Sequence, residues 1–222
     1  MCVNFRPAPV AALAGLVEPG PPVLASAPEV FPGQVAPMLA GSAQPVWSEA
    51  RFGLVPRWAR DEGIGRHTYN ARSETVASKA SYREAWRERR LCLVPMVCFF
   101  EPCYESGRAV RWSVSRTDGQ PFAAGGLWEA WRSPGGALVH SFSLLTVNTD
   151  GHPLMGRFHA PGEEKRSAVI VPWECWRDWL GGTAARVAAL LQPPAATQFR
   201  AEPAPLPGRR RPSPTPDLFG GA

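Results

Sequence analysis

The chain has 222 residues, 45% of them apolar and 19% charged, enough for one domain with a sizeable core and too apolar for a disordered chain. Basic residues exceed acidic ones by 24 to 19, an excess carried mainly by arginine, so a mildly basic soluble protein and a phosphate-binding one both fit. Five cysteines, an odd number with no C-x-x-C pair, exclude a disulfide framework and a structural zinc site and point to a reducing compartment. In chain order, residues 8–17 lack the basic leader and long apolar core of a signal peptide. No stretch reaches transmembrane length, so a cytoplasmic protein without a membrane partner is expected. Residues 20–46 are rich in Pro, Ala and Gly, with a short strand-like piece around Val30 and Phe31. Arg51–Trp58 reads as a strand running into a proline turn, and Ser73–Arg90 as helical, with Ser81 as N-cap. Leu91–Phe100 is a dense apolar run predicting one or two buried strands bent at Pro95. Val110–Ser115 and Pro121–Trp128 predict a strand pair around a turn at Asp118-Gly119. Val139–Val147 and Ala168–Val171 predict further strands. Trp173–Leu180 predicts a helix stopped by Gly181-Gly182, and Ala185–Leu191 another.

Strands outnumber the short helices. The expected fold is α+β, with a mainly antiparallel, barrel-like sheet and short flanking helices. One domain over residues 1–200 is expected, followed by a disordered Pro/Arg/Gly-rich tail over 201–222 that contains Arg209, Arg210 and Arg211.

Four residues sit where packing alone would not place them. Cys2 becomes the N-terminus if Met1 is removed, and its amine and thiol then form a 1,2-aminothiol that can close a thiazolidine ring on an aldehyde; a second codon of no consequence is the plainer reading. Asn70, in NARSET, suits a polar site or a helix cap. Glu101 ends the apolar run MVCFF, where poor solvation suits a general acid and pairing with an arginine suits a rim residue. His159 stands in a loop before a strand, a position open to proton transfer or to no role. His67, His140 and His152 show no metal-ligand spacing, so neither a metal nor an organic cofactor is expected. Arg57, Arg72, Arg83, Arg157 and Arg166 flank these points, with Trp58 and Trp86 among them. That composition suits single-stranded nucleic acid, although core packing accounts for most of the nine tryptophans.

The ordered motifs carry a resemblance. MCVNFRP at the start, FGLVPRWA at 52–59, YNARSETV at 69–76, SYREAWRERRLCLVP at 81–95, FFE at 99–101, AGGLWEAW at 124–131, LLTVNTDGHPLMGRFH at 144–159 and the closing WECWRDWL resemble the SRAP family, the SOS response-associated peptidases. The resemblance implies a DNA-repair protein of the cytoplasm and nucleoid, expected as a monomer. It would bind single-stranded DNA containing abasic sites and link to it covalently. Cys2 would form a thiazolidine with the ring-opened sugar, Asn70 would orient the cysteine or the sugar, and Glu101 would shuttle protons, with His159 assisting. Arg72 and Arg83 match DNA-contacting positions, and Arg57, Trp58, Arg157 and Arg166 are the remaining candidates. The family label implies peptidase-class hydrolase activity, including self-processing that exposes Cys2, beside lyase-like chemistry. An N-terminal-nucleophile cysteine peptidase and a non-catalytic single-stranded DNA-binding module are the alternatives. The chain departs from the family pattern at Cys98, Pro102 and Cys103. After His159 it reads H-A-P-G-E-E-K-R where many members read H-D-R-M-P. The arginine usual two residues past the histidine is missing, leaving Arg157 or Arg166 to replace it.

Overall fold

A computed structural model describes residues 3–206 apart from residues 14, 19, 21 and 23–26. Its strands are β1 (Asn4–Pro7), β2 (Val35–Ala40), β3 (Val46–Phe52), β4 (Asn70–Arg72), β5 (Leu91–Cys103), β6 (Val110–Arg116), β7 (Phe122–Arg132), β8 (Leu138–Asn148), β9 (Arg166–Ala168), β10 (Ile170–Val171) and β11 (Phe199–Pro203). The helices are α1 (Arg83–Arg87), α2 (Trp176–Gly181) and α3 (Ala184–Ala189). The strands form one sheet in which β5, β7, β8, β3 and β2 close into a five-strand barrel, since β5 pairs with both β2 and β7. Pairing is antiparallel except for β3 and β4, which both run parallel to β8. The expected barrel-like, mainly antiparallel α+β fold is the observed one.

Alternation along β5 separates two apolar layers. Cys92, Val94 and Met96 face a cluster with Phe5, Phe52, Phe99, Phe122 and Phe142, whereas Leu91 and Leu93 face a second one with Leu127, Trp176 and Trp179. Both faces of the strand are therefore buried, which is why its sequence reads as an unbroken apolar run. Pro95 does not split it. The strand continues and exchanges partners there, pairing with β7 as far as Met96 and with β1 and β6 beyond.

Other expectations are corrected. Only Arg83–Arg87 of the Ser73–Arg90 segment is α-helical, and its N-cap is Tyr82 rather than Ser81. The preceding residues form turns in which Ser78 bonds through its hydroxyl to the Thr75 carbonyl, the local competition with helix that Ser and Thr offer. The helix stops in a Schellman motif: Arg89 takes φ 55°, the Arg90 N–H bonds to Ala85 O and the Arg89 N–H to Trp86 O. Strands β6 and β7 do not pair with each other across Asp118-Gly119; β6 lies between β5 and β11, while β7 pairs with β5, β8 and β10. The sheet also extends past residue 200, because β11 pairs with β6 as far as Pro203 opposite Trp112. Arg209, Arg210 and Arg211 lie outside the described residues. Cys92, Cys98, Cys103 and Cys175 are free thiols.

Gly126 shows how tightly the barrel closes. A Cβ there would stand 2.5 Å from the Ser143 carbonyl oxygen, a backbone atom of the neighbouring strand that cannot rotate away. Gly126→Ala is expected to cost about 1–3 kcal/mol. Phe52→Ala, which removes a ring stacked on Phe142 with centroids 5.2 Å apart, is expected to cost about 3–5 kcal/mol. Urea unfolding followed by circular dichroism measures both.

Candidate active site

The outer half of β5 carries Glu101 out of the apolar run while keeping it buried, at 1% exposure. His159 reaches it from a different element. The loop after β8 makes a single turn at Met155–Arg157 and then lies along the end of β5. There Phe158 bridges to Cys103, and the His159 N–H donates to the Pro102 carbonyl at 2.8 Å. His159 adopts φ 69°, a left-handed conformation uncommon for a residue with a Cβ. Lys165 holds the turn from the other side, donating to the carbonyls of His159 at 2.9 Å and Ala160 at 2.8 Å. The result puts His159 Nε2 3.1 Å from Glu101 Oε2, with both side chains almost wholly buried. A carboxyl group and an imidazole at that distance can share and pass a proton.

Strand β1 runs alongside, with Asn4 opposite Phe100. Glu29 holds its start, accepting from Asn4 Nδ2 and from Arg111, whose guanidinium lies 3.3 Å over the Phe100 ring. Cys2 lies outside the described residues.

Asn70 is not a helix cap. It opens β4, with Ala71 buried behind it and Arg72 on the same side of the strand as Asn70. The hydroxyl of Tyr82, pushed up to about 12 in pKa by burial, donates to the Asn70 carbonyl at 3.0 Å. Tyr69, the preceding residue, packs edge-on against Phe52, which packs against Phe5 of β1. The aromatic cluster thus joins the start of β4 to the strand that begins beside Glu101.

The family model for "SOS response associated peptidase (SRAP)" matches residues 4–205. The chain belongs to the SRAP family. It is 32% identical over 131 residues to the abasic site processing protein YoqW of Bacillus subtilis, a match covering 59% of this chain and 55% of that protein. It is 24% identical over 162 residues to the abasic site processing protein HMCES of Xenopus tropicalis, covering 64% and 47%. The chain spans about half the length of these curated relatives. A crystal structure of a protein from Bordetella bronchiseptica superposes with a TM-score of 0.83 at 27% identity, covering 92% of this chain and all of that one. One from Bacteroides thetaiotaomicron superposes at 0.68 with 25% identity, covering 78% and 75%.

Within this SRAP domain the arginine candidates are scattered in role. Arg83 is exposed at the start of α1. Arg72 is half exposed and pairs with Glu164 at 2.7 Å. Arg57 is exposed beside Glu88 and Glu129. Arg157 makes a two-pronged contact with Glu105, at 2.7 and 2.9 Å, and lies over Trp112. Arg166 is a correction to the expected DNA-facing set: it is buried, and its guanidinium is occupied by Glu74, Glu164 and both oxygens of Thr146. Trp58 is the most exposed of the nine tryptophans, at 53%, its indole N–H fixed on the Ala80 carbonyl. The others are buried or packed against the two clusters, the core role expected for most of them.

Sequence reasoning missed several polar residues. Glu29 and Arg111 stand 82 positions apart and meet only through the fold. Glu129 is buried on β7 between Arg57 and Arg90; burial pushes its carboxyl up to about 7 against the opposing pull of Arg57. A glutamate inside the apolar strand GLWEAW was the available signal. Burial raises the Glu164 carboxyl, but bonds from Asn148 and Arg166, with the charges of Arg166 and Arg72, outweigh it and hold the group below its ordinary value. Glu74 is held low in the same way, chiefly by Arg166 against burial.

Carboxyls lowered on folding contribute stability above their unfolded pKa, and that contribution is lost as pH falls through the folded value. The Glu74→Gln/Glu164→Gln double variant should therefore melt below the wild type at about pH 7, and the gap should close toward about pH 3. Thermal melts across that range measure it.

Proposed function

We propose that the protein processes abasic sites in single-stranded DNA by forming a covalent link through Cys2 once Met1 has been removed. The buried Glu101–His159 pair at 3.1 Å carries the reading, since it is a proton-transfer couple set beside the strand that leads from the N-terminus. Membership of the SRAP family and the names of the curated relatives support the substrate class. Asn4, two residues after Cys2 in the sequence, has Phe100 as its strand partner, and Phe100 precedes Glu101.

The chemistry balances without a cofactor. An abasic deoxyribose in its ring-opened form presents an aldehyde. The Cys2 amine adds to the aldehyde carbon, the resulting hydroxyl leaves as water, and an imine forms. The Cys2 thiolate then adds to the imine carbon, and the nitrogen takes up a proton. One C–N and one C–S bond are made, and one water is released. Glu101 donates the proton that opens the sugar or carries off the hydroxyl as water, and regains one, with the help of His159, from the amine or thiol. Asn70 orients the N-terminal residue or the opened sugar. Arg72 and Arg83, with Arg57 and Arg157, hold phosphates, and the exposed face of Trp58 stacks on a base.

Incubation with a single-stranded oligonucleotide bearing one abasic site should give a heat-stable adduct whose mass equals protein without Met1 plus DNA minus one water. Cys2→Ala should form no heat-stable adduct, and a heat-stable Cys2→Ala adduct would overturn the reading. Glu101→Gln and His159→Gln should each slow adduct formation by about a hundredfold or more at saturating DNA. Turnover of peptide substrates without any adduct would favour the N-terminal-nucleophile peptidase instead.

A further inference from the structure

Three of the arginines proposed to meet DNA are already engaged by carboxylates of the same chain: Arg57 by Glu88 and Glu129, Arg157 by Glu105, and Arg72 by Glu164. The Arg72 contact differs from an ordinary surface pair in how its acidic partner is held. Glu164 lies in the stretch between His159 and β9. Its Oε2 takes Arg72 Nη1 at 2.7 Å. Its Oε1 is bound by Arg166 and by Asn148 Nδ2 at 3.2 Å. Arg166 is buried and itself fixed by Glu74 and Thr146, so the carboxylate is clamped from behind. The same contacts keep its pKa low and therefore keep it ionised at neutral pH. Arg72 is the more exposed member, with half of its side chain open to solvent.

A carboxylate and a phosphate offer a guanidinium the same kind of anionic oxygen acceptor. We infer that Glu164 is an internal phosphate mimic that occupies Arg72 in the free protein and must be displaced when DNA binds. The inference rests on the reading that Arg72 contacts DNA, and adds to it a restraint on affinity. A strand that takes Arg72 loses the Arg72–Glu164 attraction and leaves Glu164 facing the backbone as a like charge. Non-covalent binding to intact strands is thereby held weak, while an abasic site is retained by the covalent step. Glu164 is in this sense a specificity-determining residue that favours damaged over intact DNA.

The test is fluorescence anisotropy with a lesion-free single-stranded oligonucleotide over a series of salt concentrations. Glu164→Gln should bind about two- to fivefold more tightly than the wild type at low salt, the range expected from releasing one exposed ion pair. The plot of log K against log salt should steepen by up to about 0.7, because the variant's binding face carries one more net positive charge opposite the strand. Glu164→Ala should show the same gain, which separates loss of the carboxylate from any new bond made by the glutamine. Glu163→Gln removes an equal charge one residue away and should have a smaller effect, because long-range charge is screened. In an Arg72→Gln background, Glu164→Gln should give no gain. Unchanged or weaker binding by both Glu164 variants, an equal gain from Glu163→Gln, or a gain that persists without Arg72 would each overturn the inference. If Arg72→Gln binds like the wild type, the reading of Arg72 as a DNA contact fails and the inference falls with it. If Arg72→Gln binds more weakly and the Glu164 variants match the wild type, only the inference fails.

Discussion

Strand β5 is the constraint on which the rest of the structure depends. Its first half is a barrel strand, paired on both edges by β2 and β7 and covered on both faces by apolar clusters. Its second half leaves the barrel, is paired by β1 and β6, and delivers Glu101 to a buried position. A carboxyl group cannot be buried cheaply unless it has a polar partner. That requirement explains why a distant loop is pinned against the strand end by the bonds from His159 to Pro102 and from Lys165 to His159, so that the imidazole meets the carboxyl group. The left-handed backbone at His159 is the geometry that lets one residue bond to the strand through its N–H and to Glu101 through its ring.

Around this pair the structure separates two kinds of charged group. One kind is internal: Arg166, fixed by Glu74 and Glu164, and Glu129, which lies between Arg90 and the exposed Arg57. The other kind is exposed: Arg72, Arg83 and Arg157, whose guanidiniums reach solvent from a strand, a helix start and a turn. A net positive charge read from composition counts both kinds equally, so it overstates the cationic surface available to a polyanion.

What was legible in the sequence followed from local chemistry. The run LCLVPMVCFF declared a buried strand, the alternating segments around residues 110–148 declared strands, and Gly181-Gly182 marked the end of α2. Less was legible where local preference and tertiary pairing disagree. Ser73–Arg90 has helical composition, but Asn70–Arg72 is drawn into a strand beside β8 and the following Ser and Thr residues satisfy turns, leaving a five-residue helix. The Asp118-Gly119 turn suggested a hairpin, but β6 and β7 each find a better partner in β5, whose length lets it pair with both at different places.

The sequence by itself determined the family, the apolar strands of the barrel, and the four polar residues proposed for chemistry, because each shows in a motif or in a break of apolar pattern that needs no knowledge of distant contacts. Only the tertiary structure decided that Glu101 and His159, 58 positions apart, stand at 3.1 Å, that Glu29 joins Asn4 to Arg111, and that Arg166 is turned inward while Arg72 remains at the surface. Those outcomes depend on strand register and on the desolvation of charge. Both are set by the closure of the sheet as a whole rather than by the residues on either side.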